Sequence, residues 1–154
     1  MRWMENAAFF LYLAALARCD FKSKKIPAVL ILTGALAGLG IRLAEVLSGQ
    51  AGLSRLLAAW PGLLPGLFML LLVKPSRGGI GAGDGLCFLS FSLWQEAGFL
   101  FGLLFISLLL LAVTGLVLIG TGKGKKEMRL PLMPFVLLTA ASFFLWEMFA
   151  GALP

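Results

Sequence analysis

Long apolar runs separated by short cationic stretches constrain this chain more than any other feature. A chain of 154 residues that is 60% hydrophobic cannot cover its apolar surface with polar groups and remain an ordinary soluble domain. Six apolar segments can be drawn, and several reach the length needed to cross a hydrocarbon layer of ~30 Å. An open sheet edge cannot be satisfied in lipid, so every span is expected to be helical. The expected fold is all-α and polytopic, with about six transmembrane helices. The segments run over about 5–19, 26–47, 54–73, 84–94, 97–120 and 130–150. The fourth is too short for an ordinary crossing. Pro27 suits the first turn of the second helix, and Pro131 and Pro134 the first turn of the sixth. Pro61 and Pro65 should bend the third. Glycine pairs four apart, Gly34/Gly38, Gly62/Gly66 and Gly98/Gly102, suit close helix packing.

The cations orient the chain. Arg18, Lys22, Lys24 and Lys25 follow the first span, Lys74 and Arg77 the third, and Lys123, Lys125, Lys126 and Arg129 the fifth. With ten of the 13 cations on one side, that side is expected to be the cytoplasm, and both termini to lie outside. Arg2, Arg42 and Arg55 fall toward the outer face. The run after Arg2 could pass for a signal peptide. The lysines beyond it outweigh the N-terminal charge, so we read it as a retained span. The net charge of +6 therefore reads as membrane orientation, and the expected partner is the lipid bilayer rather than nucleic acid.

Only two aspartates occur, Asp20 and Asp84. Asp20 ends the first apolar run. Asp84 closes the run Gly78-Gly79-Ile80-Gly81-Ala82-Gly83-Asp84 and opens the fourth segment. Carboxyls beside hydrocarbon are costly and mark functional sites. The topology brings both to the cytoplasmic edge. Two carboxyls in contact share one proton: the ionised one takes a proton from water, and the protonated one polarises a carbonyl. With no histidine in the chain, the usual alternative base is missing. Cys19 and Cys87 form no C-x-x-C pair, which excludes a zinc ribbon, so neither metal nor cofactor is expected. Gly81 and Gly83, without Cβ atoms, would let a substrate backbone approach. Lys22, Lys24 and Lys25 could hold an acidic substrate residue or anchor to anionic lipid. Singly, Asp84 also suits an N-cap of the fourth helix, and Asp20 a solvated loop charge.

At these residues the chain resembles the type IV prepilin peptidases, membrane aspartic peptidases that also include preflagellin peptidases. Asp20-Phe21-Lys22-Ser23-Lys24-Lys25-Ile26-Pro27 is similar to the family's aspartate, basic stretch and Ile-Pro helix start. Gly79-Ile80-Gly81-Ala82-Gly83-Asp84 is similar to its G-x-G-D motif, and Leu130-Pro131-Leu132-Met133-Pro134-Phe135 to the proline-bearing start of its last helix. The resemblance implies one membrane-embedded peptidase domain, residues 1–154, in the plasma membrane. It implies cleavage of basic leaders from prepilin-like precursors on the cytoplasmic side, with Asp20 and Asp84 catalytic. It suggests the short form, without an N-terminal cysteine-bearing domain, and leaves N-methylation open. Leu86 stands where the family often has lysine, and Ala28 where it often has asparagine or aspartate.

Overall fold

The computed structural model describes residues 2–23, 26–49, 60–75, 81–122 and 130–150. Among these residues six helices and no strands are found: α1 Arg2–Ser23, α2 Ala28–Leu47, α3 Trp60–Val73, α4 Ala82–Phe91, α5 Ala97–Gly120 and α6 Met133–Ala150. The described part of the chain has helices as its only regular secondary structure. Two helices, α2 of 20 residues and α5 of 24, are long and apolar enough to cross a membrane. Their outer faces carry exposed Val29, Leu32 and Leu36 on α2, and Phe105, Leu109 and Leu116 on α5.

Several helix limits differ from the apolar pattern, for physical reasons. α1 runs past Cys19 to Ser23 because helix geometry does not stop where hydrophobicity does. Ser23 Oγ donates to the Cys19 carbonyl at 2.8 Å, and Lys22 in the last turn complements the negative end of the helix dipole. Pro27 is the N-cap of α2 rather than a first-turn residue, and its carbonyl accepts the Leu30 N–H at 3.0 Å. Pro131 lies before α6, and Pro134 alone falls in its first turn. Pro65 lies inside α3, where its missing N–H removes one ladder hydrogen bond. Gly49 and Gly122 follow α2 and α5 with φ of 71° and 70°, the left-handed conformation that ends a helix at glycine.

The chain divides into two compact units. The first comprises residues 1–24 and 103–154. In it α1 packs on α6. Phe9, Leu13 and Leu16 recur on one face of α1 and are fully buried, as are Met133 and Val136 on α6. The rings of Phe10 and Phe144 meet edge to face, with centroids 6.2 Å apart. Asp20 near the end of α1 meets Met133 at the start of α6, so the two helices run antiparallel. A buried Ser107 hydroxyl on α5 donates to Thr139 Oγ1 on α6 at 3.2 Å.

The second unit, residues 25–102, is built around α4. Against α3 the contacts form an antiparallel ladder. A methyl at Gly66 would stand 2.6 Å from the Leu89 amide nitrogen, one at Gly62 3.2 Å from Ser92 Cβ, and one at Gly85 2.8 Å from Leu70 Cδ2. At Gly66 the neighbour is backbone, so glycine alone admits the approach of α3 and α4 there. Gly34 and Gly38 are buried likewise, while Gly98 faces open space, so the third glycine pair is not a packing motif at that residue. Phe88 and Phe91 fill the interior with rings 5.3 Å apart.

Candidate active site

Asp20 belongs to the last turn of α1, not to a solvated loop. Its side chain is only 6% exposed. Its Oδ2 accepts the backbone N–H of Met133 at 3.0 Å, across 113 residues of sequence. Met133 is the first residue of α6, where the amides have no intrahelical acceptor. An anion at a helix start is favoured by both the free N–H groups and the dipole. The Asp20 carboxyl therefore holds α6 by its first turn. The sequence signal was available in the stretch Leu130–Phe135, because a helix start rich in proline has few N–H groups to offer and Met133 keeps one.

Asp84 is the third residue of α4 and half-buried. It is not the N-cap: Gly81 takes that position, with φ −80° and ψ 138° and no side-chain cap, and its carbonyl accepts the Asp84 N–H at 3.1 Å. The carboxyl turns back over the cap. A methyl placed on Gly81 would stand 3.3 Å from Asp84 Oδ2, tighter than nearly all such contacts. The first glycine of the G-x-G-D stretch thus leaves room for the carboxyl of its aspartate. A methyl on Gly83 would meet Ile26 at 3.8 Å, an ordinary contact.

Two pairs of sequence segments are joined in this way. The Asp20 segment meets the Leu130–Phe135 segment within the first unit. The G-x-G-D segment meets Ile26, at the Ile-Pro start of α2, within the second. A family model described as the type IV leader peptidase family matches residues 7–116. The chain belongs to that family. The matched span contains both aspartates and the whole G-x-G-D stretch, and it ends before Leu130. Membership assigns the chain a prepilin-type peptidase-like function at the family level, with a prepilin-like protein as the kind of partner. It agrees with a membrane protein carrying apolar helices such as α2 and α5. No curated protein and no solved structure matches the chain significantly.

The remaining expected site residues divide in two. Lys22 is exposed in the last turn of α1; Lys24 and Lys25 lie outside the described residues. Leu86, two residues beyond Asp84, is 43% exposed, so the position where the family often has lysine is open in this chain. Sequence reasoning missed Arg42 and Trp94. It set Arg42 toward the outer face as an orienting charge. The side chain is buried in the second unit, and its Nε donates to the Leu93 carbonyl at 3.0 Å. The signal was its position: a cation inside the apolar run of α2 has to find an acceptor in the protein.

Proposed function

We propose that the chain is an aspartic endopeptidase of the plasma membrane. It cleaves the basic leader of type IV prepilin-like precursors at the cytoplasmic face, using Asp20 and Asp84 as a dyad. The observation that carries this reading is the buried Asp20 carboxyl, held by the Met133 amide, together with the family match over residues 7–116, which includes Asp20 and the G-x-G-D aspartate. In this mechanism the two carboxyls share one proton. Water attacks the scissile carbonyl carbon and gives its proton to the ionised carboxyl. The protonated carboxyl donates to the carbonyl oxygen. The tetrahedral intermediate then breaks its C–N bond, and a carboxyl returns a proton to the leaving amine. Asp20 Oδ2 is occupied by the Met133 N–H, which leaves the other oxygen for the shared proton. The glycines at 81 and 83 admit an extended substrate backbone beside Asp84.

The membrane arrangement belongs to the same proposal: a multi-pass single peptidase domain, six spans with α4 half-length, both termini outside. Antiparallel α1 and α6, and α4 antiparallel to α3, support alternating crossings. Exposed Lys22, with Lys24 and Lys25, anchors this face to anionic lipid. Co-expression with a pilin-like precursor tests the function. The precursor should shorten on a gel with the native chain and stay full length with Asp20→Asn or Asp84→Asn.

The same Asp20–Met133 bond favours a second reading, a membrane protein of this family that has kept the fold without the chemistry, because the bond alone gives Asp20 a structural task. On that reading the two asparagine variants alter stability or association and leave precursor length unchanged.

A further inference from the structure

Among the described residues, the buried charged side chains outside the aspartate pair are Arg42 and Glu45, one turn apart on α2. Of the two, Arg42 meets the far end of the helix that carries Asp84. α4 has ten residues and so spans ~15 Å, about half of a hydrocarbon layer. A helix that stops there leaves its last carbonyls without intrahelical partners, and lipid offers none. The chain supplies them. The turn beyond α4 folds on itself: the Trp94 and Gln95 amides donate to the Phe91 carbonyl at 2.9 and 3.0 Å, and the Leu93 amide to Ser90 at 3.2 Å. Arg42 Nε then reaches in from α2 to the Leu93 carbonyl at 3.0 Å, and the Trp94 indole N–H donates back to the Gly34 carbonyl at 2.9 Å. Gly38 makes the approach possible, because a methyl there would stand 2.7 Å from Trp94 Nε1.

These two bonds differ in kind from the contacts between α3 and α4. Gly62, Gly66 and Gly85 give close dispersion packing, which resists separation of the helices but is weakly directional along their axes. Hydrogen bonds to a charged donor are directional and strong. A guanidinium at a helix C-terminus is also favoured by the dipole. We propose that Arg42 and Trp94 anchor the C-terminal end of α4 to α2, setting the height of α4 along its axis and thereby the position of Asp84 at its other end. Arg42 is thus a positioning residue for the peptidase reaction, a role that rests on the reading of Asp84 as catalytic.

The full chain in liposomes tests this with two readouts. Cys87, a free cysteine fully buried on α4, is labelled with a water-soluble maleimide, against a Cys87→Ser chain as background. Arg42→Gln should raise the Cys87 labelling rate about tenfold, the effect of losing a charged hydrogen bond that restrains local opening. Trp94→Phe, a milder change that removes only the indole donor, should act in the same direction, and Arg42→Lys should restore most of the native rate. In precursor cleavage, Arg42→Gln should lower kcat with KM little changed, and Arg42→Lys should recover it. Unchanged labelling in both Arg42→Gln and Trp94→Phe overturns the anchor. So does a native kcat in Arg42→Gln when the native chain cleaves. Altered labelling in a chain that cleaves no precursor upholds the anchor and removes the peptidase reading instead.

Discussion

The Asp20 carboxyl and the Met133 amide, 3.0 Å apart, join the end of α1 to the start of α6 and tie together two segments separated by 113 residues. The bond gives a residue proposed for catalysis a second task, and the two tasks can be separated chemically. An asparagine side chain accepts from a helix-start amide about as well as aspartate does. Asp20→Asn should therefore melt in detergent within about 0.5 kcal/mol of the native chain, while Asp20→Ala should lose about 1 kcal/mol or more. Equal melting of the alanine and native chains would show that the bond contributes nothing to α6.

Gly81 is exposed, but a Cβ on it would point at Asp84. At φ −80° the backbone accepts any residue, so Gly81→Ala carries no conformational strain. Its methyl would stand 3.3 Å from Asp84 Oδ2, and the carboxyl must shift by a few tenths of an ångström. Cleavage should fall about tenfold, because small misplacements of reacting groups are expensive in rate. The melting temperature should not change. A fall in both together would mean that the glycine serves the helix start instead.

The glycine ladder between α3 and α4 predicts opposite results at two glycines of similar sequence setting. A methyl at Gly66 meets the Leu89 backbone at 2.6 Å, whereas one at Gly98 meets nothing within 4 Å. Gly66→Ala should destabilise the chain by about 1–3 kcal/mol, as overpacking does. Gly98→Ala should be neutral or stabilise it by up to about 1 kcal/mol through helix propensity. Thermal unfolding of the two variants side by side is the check.

The buried hydroxyl pair of α5 and α6 gives a smaller effect. Thr139 Oγ1 also donates to the Phe135 carbonyl at 2.9 Å, so removing Ser107 does not strip it of partners. Ser107→Ala should cost about 0.5–1.5 kcal/mol in melting experiments. Ser107→Val, which adds volume beside a fully buried site, should cost more.

Much of this architecture was legible in the sequence where hydrophobicity alone decides it. The limits of α5 follow its apolar run from Ala97 to Gly120, because Glu96 and the Thr121-Gly122 turn bound it sharply. The brevity of α4 was also plain. Hydrophobicity could not report where α1 ends, since Asp20 and Lys22 continue the helix as polar residues. Nor could it report that Arg42 pairs with a carbonyl 51 residues away, because a partner for a buried cation is set by tertiary packing. The two aspartates stood out by rarity and by their flanks. That Asp20 serves an amide of α6 depends on folding alone, with only the proline-rich start of α6 as a hint.

The proposed dyad is tested most directly by the mass of the product released from a purified prepilin-like precursor in liposomes by the native chain, Asp20→Asn and Asp84→Asn, each checked for an unchanged melt. The account predicts one new mature N-terminus with the native chain and intact precursor with either variant. Mature product from either variant would contradict it.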